Sequence, residues 1–591
     1  MKALSVADLF AGVDIQSYDL HPDCKRAVCC VNRGDNWELG MLDLTSGKLS
    51  RFLVSDQSLT DPTFSPDGNT IAYQTDFQGD ENHDIVTIGI DGRRRRKVTD
   101  GVEDNANPTF SPDGKWIAFV SNRRKDIENL YIVSSNGGKV IRLSDEPLPV
   151  RDIAWSPDGT MIVYHTGIYE EDYVSIADVQ RRKTKKILAR RNVEYMIGGE
   201  YGPENPWSPD GHSILFISNE NDPFDIGEMD LTTRKTRWLV KSAHDKYHPQ
   251  WSPDGQALAY LEVQDPDLVV KVLRGGKTRV VSPRDGFSRQ MRWSPDGRSV
   301  YFINGCANRQ DELYRAAVNP RRVTRLHTKR FPKGKLAYPK LVSFPSFDGR
   351  MIPAMLFSPK DRSRRAGIVL PHGGPDMQSL NEWDPLIQMI VDRGFHVITP
   401  NYRGSTGYGR AFWQLHNHDL GGGDFLDTVY AGKYLVDSGL VDKDRLGYWG
   451  ASYSGFTCML ALTKFPDMWA AGVSVVGFFD WKTEIESERG FLRAYDLRKM
   501  GDPNKNKEFF RERSPLYFLE NLKAPLLMTA SCQDVRCPPQ QSRMVVERLR
   551  KLGKPVEYHE YTDEGHWPRK RKNLMDLYKR STDFLDKHIP R

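Results

Sequence analysis

The chain has 591 residues and a formal net charge of +6 at pH 7, from 84 Lys plus Arg against 78 Asp plus Glu. Its length exceeds what one core supports and calls for two or three domains; the small charge excess does not argue for a nucleic-acid binder, which would need a concentrated basic face; and no run of about 18 apolar residues offers a membrane span. Seven cysteines, scattered and odd in number, give neither a zinc pattern nor a disulfide framework, so no metal or cofactor is expected and the reducing cytoplasm is the expected location.

Residues 1–13 form an N-terminal segment without a signal-peptide pattern, in which Ser5-Val6-Ala7-Asp8 reads as the start of a short helix. A repeat then fills more than half the chain. Its anchor is an aromatic followed by Ser-Pro-Asp-Gly, at Phe64–Gly68, Phe110–Gly114, Trp155–Gly159, Trp207–Gly211, Trp251–Gly255 and Trp293–Gly297, with a degenerate copy at His21-Pro22-Asp23. The anchors recur roughly every 45 residues. Proline presets one dihedral of each turn and glycine takes a positive one; a strand such as 116–120 follows. A second signature of glycine, basic residues and a short apolar run comes later in each unit, as at 137–143 and 275–281. Each unit therefore holds about four strands, and seven such units predict a seven-bladed β-propeller over residues 14–329. These repeats resemble the TolB-like propellers. Basic runs at 93–97, 181–186 and 569–572 read as solvated turns or helix starts.

Residues 330–340 read as a linker, and the texture changes beyond it. Over 341–591, short apolar runs at 366–370, 396–399, 445–449, 470–476, 525–529 and 556–561 alternate with helical patterns at 386–393, 425–436 and 541–552. That alternation predicts a mostly parallel sheet with helices on both faces, the α/β-hydrolase arrangement. Gly447 to Phe456 is its centre: an apolar strand runs through Gly450-Ala451-Ser452-Tyr453-Ser454-Gly455 into an apolar helix, the pattern of a nucleophile elbow presenting Ser452. The position two after the serine carries Ser454, where glycine is usual, and the sequence offers no reason for it.

An acyl-transfer serine needs a base, a carboxylate to orient the base, and donors for the oxyanion. Asp534 follows the strand at 525–529 and His566 follows the strand at 556–561, in the chain order Ser, Asp, His. The paired glycines of His372-Gly373-Gly374-Pro375 follow the strand at 366–370. The expected oxyanion donors are the backbone N–H groups of Tyr453 and Gly374.

Together with Asn401–Gly409 and Asp534-Val535-Arg536-Cys537-Pro538, these stretches resemble the prolyl oligopeptidase family of serine peptidases, most closely its acylaminoacyl-peptidase branch. The resemblance covers nearly the whole chain. It implies a serine peptidase acting on short peptides inside a cavity between propeller and hydrolase domain, with Arg536 binding a substrate carbonyl. It also implies removal of acylated or unblocked N-terminal residues. Besides Ser454, the departures from the family pattern are Ala530-Ser531 in place of His-Gly and Trp567 after the histidine.

Phe478, Phe479 and Trp481 fall where the family builds its specificity pocket, which implies an apolar or aromatic one. Glu484, Glu486 and Glu488 read as a solvated helix face, with selection of a cationic side chain as the alternative. Tyr169 to Tyr173 reads as part of a propeller hairpin rather than as the acidic clamp of a dipeptidyl peptidase. An esterase and a catalytically inert binding protein are the rival functions, and the sequence leaves room for a homo-oligomer.

Overall fold

A computed structural model describes residues 4–589 except 100, 102, 125–126, 169–170, 200, 202–204, 329–330, 333, 335 and 489. Of the hairpin at 169–173, Tyr169 and Glu170 thus lie outside the described residues.

Among the described residues, twenty-eight strands between Asp14 and Arg322 form seven antiparallel units of four. A single parallel bridge, Leu268 to Phe287, joins the sixth and seventh. This is the seven-bladed propeller, and the Ser-Pro-Asp-Gly anchors lie between the first and second strands of the blades. In the second blade, Ser65 Oγ donates to Asp67 Oδ1 at 2.6 Å and accepts from Thr70 N at 2.9 Å, while Gly68 turns at φ 73°. The same serine–aspartate bond recurs at Ser111, Ser156, Ser208, Ser252 and Ser294. The aromatic before the serine ties neighbouring blades: the indole N–H groups of Trp155, Trp207 and Trp293 each donate at 3.1 Å to a carbonyl of the preceding blade, those of Thr109, Ala154 and Gln250. One sequence motif therefore supplies both the hairpin and the joint.

Because each blade is four consecutive strands, the first and seventh meet without a shared strand. Tyr18 and Leu20 pack there with Tyr301, Ile303 and Leu313, Arg292 pairs with Asp19 at 3.1 Å, and Val13 N donates to Leu326 O at 3.0 Å.

The C-terminal half is one eight-stranded sheet in the order Lys340–Pro345, Met351–Phe357, Phe395–Pro400, Ala366–Val369, Leu446–Ala451, Ala471–Val475, Leu526–Ser531, Val556–Tyr561. The first two strands are antiparallel additions and the other six run parallel. The core lies on both faces. Tyr448, Phe456, Leu460 and Val545 are buried on one side, and Ile368, Ile390, Trp449 and Leu585 on the other. Among the described residues no helix is long and apolar enough to cross a membrane.

The basic run at 569–572 is not a solvated turn. Arg569 reaches Asp76 of the second blade at 3.2 Å. Arg571 donates to Phe10 O at 2.7 Å and Gly12 O at 2.9 Å, and pairs with Asp14 at 3.0 Å. The partners lie hundreds of residues upstream, so no local pattern announces them. Leu9 and Phe10 join the same hydrolase core as Leu577 and Phe584. On the other side of the ring's seam, Ala307 N donates to Asn381 Oδ1 at 3.0 Å. Removing the largely buried Arg571 guanidinium leaves Asp14 and three carbonyls, those of Phe10, Gly12 and Asn32, without their donor, so Arg571→Ala is expected to cost about 2–4 kcal/mol. The check is a lowered midpoint of thermal unfolding.

Candidate active site

The strand Leu446–Ala451 ends at Ser452, and the helix Tyr453–Lys464 begins directly after it. Ser452 takes φ 57° and ψ −125°, a conformation that costs a non-glycine residue about 1–3 kcal/mol. Its neighbours make the turn possible: a Cβ on Gly450 would stand 2.0 Å from Ser454 O, and one on Gly455 would stand 2.9 Å from Val475 O.

Ser454 also acquires a reason. Its hydroxyl accepts from Ala451 N at 2.8 Å and lies 2.9 Å from Ala451 O, as donor. The side chain therefore closes the elbow from inside, fully buried, where glycine would leave the Ala451 groups to the backbone alone. Ser454→Gly is expected to lose about 0.5–1.5 kcal/mol of stability while retaining hydrolysis, checked by denaturant melts beside a rate assay.

His566 stands between Ser452 and Asp534. Its Nε2 is 2.9 Å from Ser452 Oγ, and its Nδ1 is 2.9 Å and 3.0 Å from the two Asp534 oxygens. Asp534 is buried, and its Oδ1 also accepts from Arg536 N and Cys537 N, both at 2.9 Å. The aspartate's position is thus set by its own loop. The histidine loop is pinned by Glu564, which accepts from Arg569 N at 2.9 Å, Lys570 N at 3.0 Å and Asn573 Nδ2 at 2.7 Å. The second blade presses on it as well: a Cβ on Gly565 would fall 1.8 Å from Gly79 O.

The His372–Pro375 loop lies against the elbow, since a Cβ on Gly373 would be 3.6 Å from Ser452 Cβ. Gly374 sits at φ 115°, which needs glycine. Burial pushes His372 down to about 4, so it is neutral at pH 7. Its ring stacks on Tyr402 at 4.2 Å, and its Nε2 is 2.8 Å from Ser405 Oγ. As the first residue of its helix, Tyr453 has an N–H with no intrahelical acceptor, and its ring is held by hydrogen bonds to Asp424 and Gly421 N. Next to this loop, burial raises Asp376, but Lys499 at 3.1 Å and His416 at 2.7 Å hold it below the usual carboxylate range.

Ser452, Tyr453, Gly374, His566, Arg536, Phe478 and Trp481 all line one cavity of about 640 Å³. Phe479 does not. It is buried in the hydrolase core, and its backbone N donates to Gln541 Oε1 at 2.8 Å. Arg536, half exposed, pairs with Glu81 of the second blade at 2.9 Å. The reading of the glutamates as a solvated face is corrected for two of the three. Glu486 is exposed, 3.7 Å from Lys482, whereas Glu484 and Glu488 are buried and line the cavity. The helix Gly490–Met500 packs over that face and excludes water from it. Glu81, Tyr495, Asp496 and Lys499 were missed by sequence reasoning, because each gains its place from a partner on a distant element.

Residues 382–591 match the Prolyl oligopeptidase family. The chain is 30% identical over 37% of its length to dipeptidyl peptidase family member 6 of Caenorhabditis elegans, of which the match spans 30%. It is 23% identical over 74% of its length to the acylamino-acid-releasing enzyme of Mus musculus, of which 58% is spanned. The structure of a puromycin-hydrolyzing peptidase of Mycobacterium tuberculosis superposes with a TM-score of 0.88 at 19% identity, over 100% of this chain and 96% of that one.

Proposed function

From the match of residues 382–591 to the prolyl oligopeptidase family, we propose that the protein is a serine peptidase that hydrolyses short peptides through an acyl-enzyme on Ser452. The observation that carries the reading is His566 bridging Ser452 and Asp534 at hydrogen-bond distance. Ser452 Oγ attacks the scissile carbonyl as its proton passes to His566 Nε2; Asp534 holds Nδ1–H and balances the imidazolium; the N–H groups of Tyr453 and Gly374 stabilise the oxyanion. The C–N bond then breaks, and the leaving amine takes the proton from Nε2. Water, deprotonated by the same histidine, releases the acyl group. Arg536 binds a substrate carbonyl at the cavity edge.

The propeller restricts access, since its second blade abuts the histidine loop and Arg536. Blocked N-termini suit the site. Asp172 is buried and engaged by Arg151 at 3.2 Å and His165 at 2.7 Å, which leaves its carboxylate unavailable to anchor a free amine, and Glu171 pairs with Arg498 at 3.2 Å. The cysteine pattern favours a cytoplasmic setting. The test is labelling with a fluorophosphonate together with a panel of N-acetylated and free-amine peptide anilides. Absence of labelling, or labelling that persists in Ser452→Ala, defeats the reading.

A further inference from the structure

The cavity beside Ser452 has aromatic walls and an acidic floor. Trp481 and Phe478 pack edge-to-face at 4.6 Å, with the Tyr453 ring 6.4 Å from Trp481. Beyond them the cavity is lined by Glu484, Glu488 and Asp496, whose residues are 2%, 6% and 8% exposed. Three carboxyls in so dry a place are costly unless something answers them, yet neither Glu484 nor Glu488 forms an ion pair among the described residues. Glu484 is held in place by Gln541. The Gln541 Oε1 accepts from Phe479 N and Asp480 N, both at 2.8 Å, and its amide nitrogen must therefore face Glu484 Oε2. Glu488 Oε2 is buried without any hydrogen-bond partner among the described residues.

We infer that Glu484, Glu488 and Asp496 form the floor of a cation-selecting pocket, which takes the Lys or Arg side chain of the residue preceding the cleaved bond. This rests on Ser452 being the nucleophile as proposed above. An aliphatic stem suits the aromatic walls, and an ammonium or guanidinium at its end supplies a donor to Glu488 Oε2 and takes the place of the proton that Glu488 shares with Asp496.

The charges facing the floor agree. Burial first, then the repulsion of Asp496, Asp534 and Asp480, raises Glu484. Burial raises Glu488 and Asp496 too, with Asp496 and Glu484 pressing on Glu488 against the pull of Arg493, and Asp376 pressing on Asp496 against that of Lys499. The buried Cys537 thiol completes the ring of groups around Glu484. Empty, the floor holds protons; an entering cation displaces them. Selectivity for a cation therefore rises as pH rises.

The test uses N-acetylated peptide anilides, so that the side chain is the only cation. It compares arginine with citrulline and lysine with norleucine before the anilide. The charged member of each pair is expected to have kcat/KM about 10- to 100-fold higher, the range of a charge-assisted buried hydrogen bond. The ratio is expected to grow between about pH 6 and pH 9 and to collapse in Glu488→Gln and in Asp496→Asn. A ratio near one in the natural protein, or a ratio that both variants leave intact, overturns the pocket. Binding of agmatine to Ser452→Ala, measured by calorimetry with and without Glu488→Gln, separates the two ideas. Agmatine binding that Glu488→Gln abolishes, in a protein that takes no fluorophosphonate, sustains the pocket and sinks the peptidase. Labelling without agmatine binding or cation preference does the reverse.

Discussion

Ser452→Ala is expected to lower kcat by about 10⁶, the loss seen when the nucleophile of a serine peptidase is removed, and to abolish fluorophosphonate labelling. The size follows from the geometry. Ser452 is the one hydroxyl within hydrogen-bond distance of His566 Nε2 among the described residues, and its strained backbone puts it at the mouth of the cavity. Its hydroxyl makes no bond that holds the elbow together; that task falls to Ser454. Alanine also tolerates the turn no worse than serine, so the variant is expected to keep its unfolding midpoint. A burst of released anilide in the natural protein, absent from the variant, checks the acyl-enzyme directly.

Asp534→Asn is expected to cost about 10⁴ in kcat through the tautomer of His566. Asp534 Oδ1 accepts from two backbone N–H groups, those of Arg536 and Cys537. An asparagine must keep its carbonyl oxygen there, which turns its NH₂ toward His566 Nδ1 in place of Oδ2. The imidazole then accepts at Nδ1 and carries its proton on Nε2, where it is unable to take one from Ser452. Single-turnover acylation is expected to slow with kcat, while KM stays near its original value. Equal losses in binding and turnover would point to a displaced loop instead.

Much of this was legible from the chain. The Ser-Pro-Asp-Gly anchor carries its own turn chemistry and, in three of its copies, a tryptophan that bonds the preceding blade, so seven repeats were enough to specify a ring. The elbow and the residues after three successive strand ends were legible for the same reason: strand, turn and helix are written locally. What escaped was whatever depends on a distant partner. Glu484 and Glu488 are four apart on one helical face and Glu486 lies opposite, but which face meets water is decided by the helix Gly490–Met500 folding over it. Arg571 does begin a helix, Arg571–His588, but its clamp on the propeller was not readable because its acceptors, at Phe10 and Gly12, belong to the other end of the chain. Phe479 was grouped with Phe478 by adjacency; both are buried in the same core, and only Phe478 also reaches the cavity.

The seam of the propeller bears on what the two halves do for each other. Six of the ring's seven joints are spanned by the polypeptide itself, and the seventh is not. There the hydrolase half grips both sides, with Arg571 on the first blade at Asp14 and Asn381 on the seventh at Ala307. The catalytic half is therefore the clasp of the ring that encloses it. A propeller cut away at its linker would have to close its seam with the Tyr18–Tyr301 packing and the Arg292–Asp19 pair alone.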